Sequence, residues 1–406
     1  MKIKQNAPDP AALWAHQHDE WRNPTDVISQ WQDASQCDPA MLKYHVQGAW
    51  WEALAETHST LLVTREYEHL IMALGIDEGK PLISYLRLPH PSGMAVDLKR
   101  KIVHVASTRN PNQVFDFSPL DGQMPRLDVD DVPQSEFVPR PLMPVRSRFY
   151  PGSLYLHDLA LIGGKLHGNS VGQNAVVHLT DEGTADIVWW PHCIEQEGQP
   201  IFGQNHLQLN SIAAGDDLHR SFFSASTDKI SARRPGHKNF PVDKRGVIFS
   251  GASREPIAHG LTRPHSARLH DDHIWVDNSG YGELGRVVDG QFLPLLKLPG
   301  WTRGLAFAGD IAFVGTSRVL PRFRQYAPGV ELERSVCGLH AVDIKSGKIL
   351  GSLIWPAGNQ IFAIELVPET FTSGFTSRVG AKPSALEKTL FYTFKVDSTS
   401  LKDTSQ

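Results

Sequence analysis

A loose internal repeat constrains the fold of this chain more than any other feature of its sequence. Six segments follow one pattern, in which a polar residue precedes a short apolar strand, a turn and a second apolar strand. They start at Ser92, His157, Asn210, His265, Arg303 and Phe362. Their spacing is close to the ~40–50 residues of a four-stranded propeller blade. The repeat therefore predicts an all-β fold, a six-bladed β-propeller.

The last repeat segment indicates how the ring closes. FAIELVP, which starts at Phe362, has no second strand after it, whereas residues 60–74 (TLLVTREYEHLIMAL) lack a first one. A C-terminal strand that joins a blade begun at the N-terminus would complete the ring and protect its strand edges. Seven blades is the alternative, because residues 183–190 (GTADIVWW) and 115–150 fit the repeat poorly. Residues 110–150, rich in proline and acidic side chains, are interpreted as a long inserted loop.

The two ends of the chain differ from its middle. Residues 1–58 hold five of the ten tryptophans and include two stretches with helical spacing, NPTDVISQWQDAS and MLKYHVQGAWWEALAET. We expect a helical, Trp-rich N-terminal arm there, packed on a propeller of residues 59–396; an aromatic partner-binding tail is the alternative. Residues 389–396 suggest a last edge strand. Residues 397–406 have the composition of a disordered tail.

Composition excludes some classes of partner. Lys and Arg number 40 and Asp and Glu 44, so a net charge of −4 gives no reason to expect nucleic acid or an acidic membrane as partner. The three cysteines, Cys37, Cys193 and Cys337, form no CxxC motif and cannot all pair, which favours a reduced cytoplasm. The first residues contain no apolar run that resembles a signal peptide or a membrane span. The chain is expected to be cytoplasmic.

The repeat also predicts where functional side chains meet. Because side chains alternate along a strand, the apolar triplet of each segment fixes which residues share a face. We call the residues two positions before each triplet the inner ring; they are Ser92, His157, Asn210, His265, Arg303 and Phe362. We call the residues a further two positions back the outer ring; they are His90, Tyr155, Gln208, Arg263, Trp301 and Gln360. Both rings are expected at one mouth of the central channel, unless a one-residue slip removes a blade's contribution.

These residue types favour a site for a polar ligand. His157, His265 and Arg303 are the predicted catalytic residues, as acid–base groups and as the partner of a carboxylate or oxyanion. His157, His206 and His265 are the predicted ligands of a divalent metal ion of unspecified identity. The predicted substrate-binding residues lie at or beside the mouth and are Asn210, Arg263, Tyr155, Trp301, Asn278, His90 and Gln360.

Simpler interpretations exist for several of these residues. A ring of mixed polar side chains also suits a channel that holds only water. His270 and His273 flank a turn between two strands and are interpreted as solvated. Glu66 or Glu68 would be an acid–base group only if its turn reaches the mouth.

Three long motifs carry a resemblance to a known family. RPHSARLHDDHIWVDNSGYGELGRV, LPGWTRGLAFAGDIAFVGTSR and CGLHAVDIKSGKILGSL resemble a bacterial family of conserved β-propeller proteins of unknown function. The resemblance covers about residues 46–370 and leaves the first 45 residues out. The resemblance implies the propeller fold and its boundaries, but it implies no particular enzymatic reaction.

Two functions from different classes are therefore expected. The first is an enzyme of lyase, hydrolase or isomerase type, acting at the mouth on a polar or anionic small molecule, sugar or modified peptide. The second is a non-catalytic propeller that binds a protein or glycan partner through Trp301, Tyr155 and the N-terminal tryptophans. The sequence leaves the oligomeric state open.

Overall fold

The computed structural model describes residues 37–108, 112–120, 140–237 and 239–380. These residues form six antiparallel sheets of four or five strands around a central axis. The prediction of an all-β, six-bladed propeller is confirmed. One α-helix, Trp50–Glu56, occurs in the described residues.

Blade 1 closes the ring in the predicted way. Its innermost strand is Ala363–Pro368, which pairs with Ser59–Arg65 from the start of the chain, with Leu62 opposite Glu365. The sheet continues outward through Leu70–Asp77, Lys80–Arg87 and the short strand Ser377–Arg378.

Blades 2 to 5 each consist of four consecutive strands. From the axis outward, those of blade 2 are Pro91–Asp97, Ile102–Ser107, Asn112–Pro119 and Leu142–Tyr150. Those of blade 3 are Leu156–Ile162, Lys165–Ser170, Ala175–Leu179 and Ala185–Trp189. Those of blade 4 are Leu209–Ala213, Phe222–Ala225, Gly246–Ser250 and Pro256–Leu261. Those of blade 5 are Pro264–His270, His273–Asn278, Glu283–Val288 and Gln291–Lys297.

Blade 6 carries the described part of the N-terminal arm. Its four main strands are Trp301–Ala308, Ile311–Ser317, Gly338–Asp343 and Lys348–Ile354. His45–Gly48 adds a fifth strand at the outer edge, and the helix Trp50–Glu56 packs beside it, with Trp50 fully buried. Short elements complete the structure: the 3-10 helices Pro39–Leu42, His192–Ile194, Leu218–Arg220, Pro321–Tyr326 and Leu332–Arg334, and a small hairpin of Glu195–Gln196 and Gln199–Pro200.

The structure corrects three details of the sequence interpretation. Asn112–Pro119 and Leu142–Tyr150 are outer strands of blade 2, and Ala185–Trp189 is the outermost strand of blade 3, so the described residues form no seventh blade. The predicted inserted loop is thus partly strand, and its residues 121–139 lie outside the described residues. The stretch MLKYHVQGAWWEALAET is not one helix, because His45–Gly48 hydrogen-bonds to blade 6 and Gly48 turns the chain with φ +68°. The remainder of the predicted arm, residues 1–36, lies outside the described residues, as do the predicted edge strand 389–396 and tail 397–406.

An ion-pair cluster closes the channel along its axis. Arg268 Nη1 lies 3.0 Å from Asp158 Oδ2, and its Nη2 lies 3.4 Å from Glu365 Oε1. These residues come from blades 5, 3 and 1, which are not neighbours, so both contacts cross the axis. The other four blades place alanine at the positions of Arg268 and Glu365, namely Ala95, Ala160, Ala213 and Ala306, all buried. Small side chains leave room for the cluster, whose ion pairs span the axis at this level.

A β-bulge recurs on the innermost strands at or directly beside the inner ring. The register shifts there in blades 2 to 6. In blade 3 the bulge sets His157 and Asp158 opposite the single residue Asn169, so that neighbouring side chains reach different levels of the axis. The blades approach so closely here that a Cβ on Gly93 would lie 2.5 Å from the Cα of Asp158.

Candidate active site in a closed cup

One deep cavity opens on the mouth where the rings were predicted. It measures about 1550 Å³, and we call it the cup. Its floor is formed by His157, His265 and Arg303 of the inner ring, and its wall by Tyr155, Gln208, Arg263, Trp301 and Gln360 of the outer ring. Loop residues 203–206, 231–237 and 321–326 contribute the rim. The ion pairs of Arg268 with Asp158 and Glu365 span the axis beyond the floor and are not part of the cup lining.

His157 and Arg303 meet across the axis at the floor. Arg303 Nη2 lies 2.8 Å from His157 Nε2, and the two residues come from opposite blades. Nδ1 of His157 lies 3.1 Å from the carbonyl oxygen of Asn210, which can only accept, so Nδ1 carries the proton and Nε2 accepts from Arg303. His157 is therefore a neutral imidazole whose two ring nitrogens are both occupied.

His265 has the same tautomer but a different environment. Its Nδ1 donates to the carbonyl oxygen of Arg263 at 2.8 Å and lies 2.9 Å from Ser279 Oγ. Ser279 in turn donates to the carbonyl oxygen of Thr302 at 2.6 Å, which fixes the hydroxyl. Burial, and then the positive charge of Arg303, lowers the pKa of His265 well below its ordinary value. Nε2 is thus an unprotonated ring nitrogen with no hydrogen-bond partner among the described residues.

Arg263 is a buried cation without a counter-ion among the described residues. It is 6% exposed, and its buried Nε and Nη1 have no hydrogen-bond partner in the described part of the chain. Its guanidinium lies 4.7 Å from the ring of Tyr326, a cation–π contact with the rim. Burial lowers the pKa of Arg263, which nevertheless stays charged at neutral pH.

A hydrogen-bonded chain links Arg303 to the one acidic side chain of the described cup lining. The amide oxygen of Gln360 accepts from Arg303 Nη1 at 3.1 Å, and its nitrogen donates to Glu66 Oε2 at 3.0 Å. Thr108 Oγ1 donates to the other Glu66 oxygen at 2.5 Å. Burial lowers the pKa of Arg303 to about 10, although the charge of Glu66 acts in the opposite direction. The turn that carries Glu66 thus reaches the mouth, while Glu68 lies behind it and pairs with Arg65.

The wall is built with strained backbone. His90, Tyr155, Gln208 and Arg263, at the same position of four blades, all have positive φ, between 40° and 53°. Side chains with a β-carbon rarely adopt this conformation, at a cost of about 1–3 kcal/mol each. Asparagine side chains hold this backbone in place through hydrogen bonds. The backbone N–H of Tyr155 donates to Asn112 Oδ1 at 2.9 Å, and that of Gln208 donates to Asn205 Oδ1 at 2.9 Å. This repeated geometry turns the outer-ring side chains out of the pleat.

Three predicted substrate-binding residues lie outside the cup lining. Asn210 is buried and donates to the carbonyl oxygen of Pro264 at 2.8 Å, since the bulge of blade 4 turns it towards blade 5. His90 packs on His69, with ring centroids 4.3 Å apart. Asn278 accepts from the backbone N–H of Thr262 at 2.7 Å and donates to Glu283 at 2.8 Å, so it supports the turn that carries Arg263. The other four, Arg263, Tyr155, Trp301 and Gln360, line the cup.

The predicted metal ligands do not have the arrangement of a metal site. Both ring nitrogens of His157 are engaged, and a cation bound at Nε2 would stand beside the guanidinium of Arg303. His206 lines the cup from the rim, where burial lowers its pKa. No group of three or more His, Cys, Asp or Glu residues in the described chain has the geometry to hold a metal ion. The donor set of the floor does not fit a divalent metal.

Two features of the site were missed in the sequence. Arg268 and Glu365 were counted as members of apolar triplets, although a charged pair in otherwise apolar strands was a visible signal of an axial ion pair. The rim loops belong to no repeat position, so nothing in the sequence placed them over the mouth. His270, interpreted as a solvated turn residue, is partly buried and stacks on Phe307 with ring centroids 4.3 Å apart.

Fold and site together define a six-bladed β-propeller with a closed, arginine-rich cup at one mouth. The chain belongs to the family described as "Domain of unknown function (DUF4915)", whose model matches residues 48–374. The resemblance inferred from the sequence motifs, to an uncharacterised propeller family over about residues 46–370, is confirmed. No curated protein matches the chain.

Solved structures with related architecture have low sequence identity. A chain in the crystal structure of a nidogen/laminin complex is 10% identical, with a TM-score of 0.49, over 77% of this chain and 99% of that one. A gluconolactonase from Xanthomonas campestris is 12% identical, with a TM-score of 0.43, over 74% and 86%. The PQQ-bound aldose sugar dehydrogenase from Streptomyces coelicolor is 16% identical, with a TM-score of 0.42, over 80% and 99%. No helix in the described part of this chain has the length and apolarity needed to cross a bilayer.

Proposed function

We propose that this protein is an enzyme that binds an anionic small molecule in the cup and moves a proton on it with His265. The observation that carries the proposal is Arg263, a buried guanidinium with no hydrogen-bonded partner among the described residues. Burying a charge without compensation costs several kcal/mol. A ligand carboxylate or phosphate would supply the missing partner.

The charge balance of the lining supports an anionic ligand. Its described residues include four arginines, Arg234, Arg263, Arg303 and Arg324, against the single carboxylate Glu66. The whole chain carries a net charge of −4, so the excess of positive charge is local to the cup. A positive, partly desolvated cavity attracts anions and excludes cations.

His265 is the base in this proposal. Its Nδ1 proton is fixed by Arg263 O and Ser279, which leaves the Nε2 lone pair to accept a proton from the ligand. Burial, and then the charges of Arg303 and Arg263, lower its pKa in the free protein, and a bound anion would offset the part that is due to the arginines. Ligand binding would therefore strengthen the base, and Arg303 would stabilise negative charge that develops on the ligand.

Proton abstraction favours a lyase or an isomerase over a glycoside hydrolase. Hydrolysis of glycosides uses a pair of carboxyl groups that flank the bond. The described lining offers only Glu66, and that side chain is bonded to Thr108 and Gln360. A base beside two arginines suits removal of a proton next to an acid group, and it needs no metal ion.

A second candidate is a non-catalytic propeller that binds a glycan. Trp301, Phe323 and Tyr326 form a continuous aromatic strip along one side of the cup, with successive ring centroids 5.3 Å and 5.9 Å apart. Such faces pack on sugar rings as readily in a receptor as in an enzyme. Turnover of a bound ligand that depends on His265 separates the two candidates.

Isothermal titration with simple acids tests the proposal. Galacturonate, gluconate and glucose 6-phosphate are titrated into the wild type, with glucose as the neutral control. We expect at least one acid to bind and glucose not to bind, and Arg263→Met to lose the binding. Arg220→Met is the matched control, because Arg220 is exposed and lies outside the cup. Equal affinity of the Arg263→Met variant and the wild type would refute the role of the cup.

A further inference from the structure

The aromatic strip and the arginines run along the cup together. Trp301 belongs to the innermost strand of blade 6, whereas Phe323 and Tyr326 belong to the 3-10 helix Pro321–Tyr326 at the rim. Arg263 lies over the ring of Tyr326, and Arg324 projects from the same short helix. Apolar faces for sugar rings and cations for acid groups therefore alternate from floor to rim.

The size and closure of the cup restrict the ligand further. At about 1550 Å³ the cup exceeds the ~300–1,000 Å³ of most small-molecule pockets, so it has room for more than one sugar ring. The axial cluster of Arg268 with Asp158 and Glu365 prevents a chain from passing through. A closed cup of this length accommodates the end of a chain.

The lining also offers donors without acceptors. Besides the guanidinium of Arg263, the buried Nε1–H of Trp301 has no hydrogen-bond partner among the described residues. A ligand rich in hydroxyl and carboxylate oxygens matches such a surface. A polar ring with an acid group, in short a sugar acid, provides both.

From these observations, and resting on the proposed function, we propose that the substrate is the end of a 4-linked uronic-acid chain, which the enzyme cleaves by β-elimination. The carboxylate of the reducing-end residue, whose O4 carries the rest of the chain, would bind Arg263, with Trp301 as the packing surface for its ring. The negative net charge of the protein and the closed cup favour a sugar chain end over a single-stranded nucleic acid.

The reaction balances with groups of the cup alone. His265 Nε2 takes the proton from the carbon next to the carboxylate, and the electron pair of that C–H bond forms a C=C bond. The C–O bond at the neighbouring carbon breaks, and its electrons go to the leaving glycosidic oxygen. Arg263 and Arg303 stabilise the charge that accumulates on the carboxylate. The products are an unsaturated sugar acid and a shortened chain, with no oxidant, reductant or cofactor.

Tyr155 is the proton donor to the leaving oxygen in this scheme. Its side chain lines the cup, and its ring centroid lies 5.7 Å from that of His157. Its backbone is held in the left-handed region, with φ +53°, by Asn112.

The test incubates the full-length protein with trigalacturonate and trimannuronate and follows the ultraviolet absorbance of the unsaturated acid. We expect one of them to be cleaved to a monomer and a dimer. His265→Gln should lower kcat by ~100-fold or more, and Tyr155→Phe should lower kcat while KM stays unchanged. Thermal unfolding of both variants checks that they fold, and Arg220→Met serves as the control with unchanged activity.

The outcomes separate this inference from the proposed function. Binding of galacturonate without binding of either trimer overturns the chain-end assignment and leaves the proposed function standing. Binding of a trimer without an unsaturated product overturns the elimination. Tighter binding of a single-stranded oligonucleotide than of any trimer overturns the sugar assignment. If no acid binds at all, the proposed function fails as well.

Discussion

Replacing Arg263 with methionine should make the ligand-free protein more stable. Arg263 is 6% exposed and has no hydrogen-bonded partner among the described residues, so the folded state bears the cost of desolvating its charge. Methionine fills a similar volume with an apolar chain. Leaving a buried polar group unsatisfied costs about 1–3 kcal/mol, and more when it is charged. Loss of the contact with Tyr326 would offset about 0.5–2 kcal/mol of the gain.

The net expectation is an increase of about 1–2 kcal/mol in the free energy of unfolding. For a domain of this size 1 kcal/mol corresponds to roughly 1.5 °C in Tm, so the variant should melt about 1.5–3 °C higher than the wild type. With an acid ligand at 100 times its Kd the order of the two Tm values should reverse, so that the wild type melts at the higher temperature. The wild type then gains about 2.7 kcal/mol from binding, whereas the variant gains nothing.

Arg65 provides the contrasting control. It is fully buried as well, but its guanidinium bonds to Glu68 at 3.2 Å and to the carbonyl oxygen of Met41 at 2.7 Å. Removing one member of such a buried pair costs about 3–5 kcal/mol, so Arg65→Met should lower Tm strongly. Thermal unfolding followed by circular dichroism at pH 7 measures both variants. A clear loss of Tm in ligand-free Arg263→Met would show that Arg263 has a structural partner and would refute the reasoning.

Three further predictions concern the scaffold and the predicted metal ion. Burial lowers the pKa of His340 from 6.5 to about 4, so at pH 5 the unfolded chain binds a proton that the folded chain does not. The free energy of unfolding should therefore fall by ~2 kcal/mol between pH 7 and pH 5. Urea unfolding over this range should show a smaller loss of stability in His340→Gln than in the wild type. Gly304→Ala should lower the free energy of unfolding by about 2 kcal/mol, because φ is +91° and the new Cβ would lie 2.8 Å from Ile364. Gly309→Ala is the control: it also has a positive φ but open space around it, and should cost about 1 kcal/mol in the same assay. EDTA should leave Tm and acid binding unchanged; a loss of either that Zn²⁺ or Mn²⁺ restores would reinstate the predicted metal site.

The fold could be predicted from the sequence because each repeat contains the same periodic pattern of apolar residues. Each innermost strand must bury one face against its neighbours, and this requirement recurs in all six segments despite their different lengths. The missing second strand after Phe362 was informative for the same reason, since an innermost strand without a partner cannot be stable in a sheet. The strands of residues 112–119 and 142–150 were harder to find, because proline and acidic residues between them hide the period.

The floor of the cup was predictable for a different reason. His157, His265 and Arg303 occupy equivalent positions of a repeat, so their convergence follows once the blades are aligned. Asn210 shows the limit of that inference, because its bulge has a different register and turns the amide to the carbonyl oxygen of Pro264. Register at a bulge is set by packing between blades, which a single sequence does not display.

The most informative property of the site was not in the sequence at all. That Arg263 is buried can be inferred from its place in the outer ring, but that no described residue supplies it with a counter-ion depends on every element around it. The nearest acid along the chain offers no guide, since Arg268, only five residues later, finds Asp158 and Glu365 on distant blades. Arg263, directly before the innermost strand of blade 5, and Arg268, within it, thus differ: the fold neutralises Arg268 but supplies no counter-ion to Arg263 among the described residues.

The inner ring is chemically asymmetric, because its six positions hold one serine, two histidines, one asparagine, one arginine and one phenylalanine. In blade 2 the small side chain of Ser92 bonds the carbonyl oxygens of Ala106 and Leu156 at 3.1 Å. The two histidines bond backbone carbonyl oxygens as well, through their Nδ1 atoms. His157, His265 and Arg303 meet at the centre of the floor, and Phe362 lies against the guanidinium of Arg303 at 3.3 Å. A serine satisfies this position in blade 2, so the burial of a cation between an imidazole and a phenyl ring in the floor goes beyond what the backbone needs there and agrees with the anionic ligand that we propose for the cup.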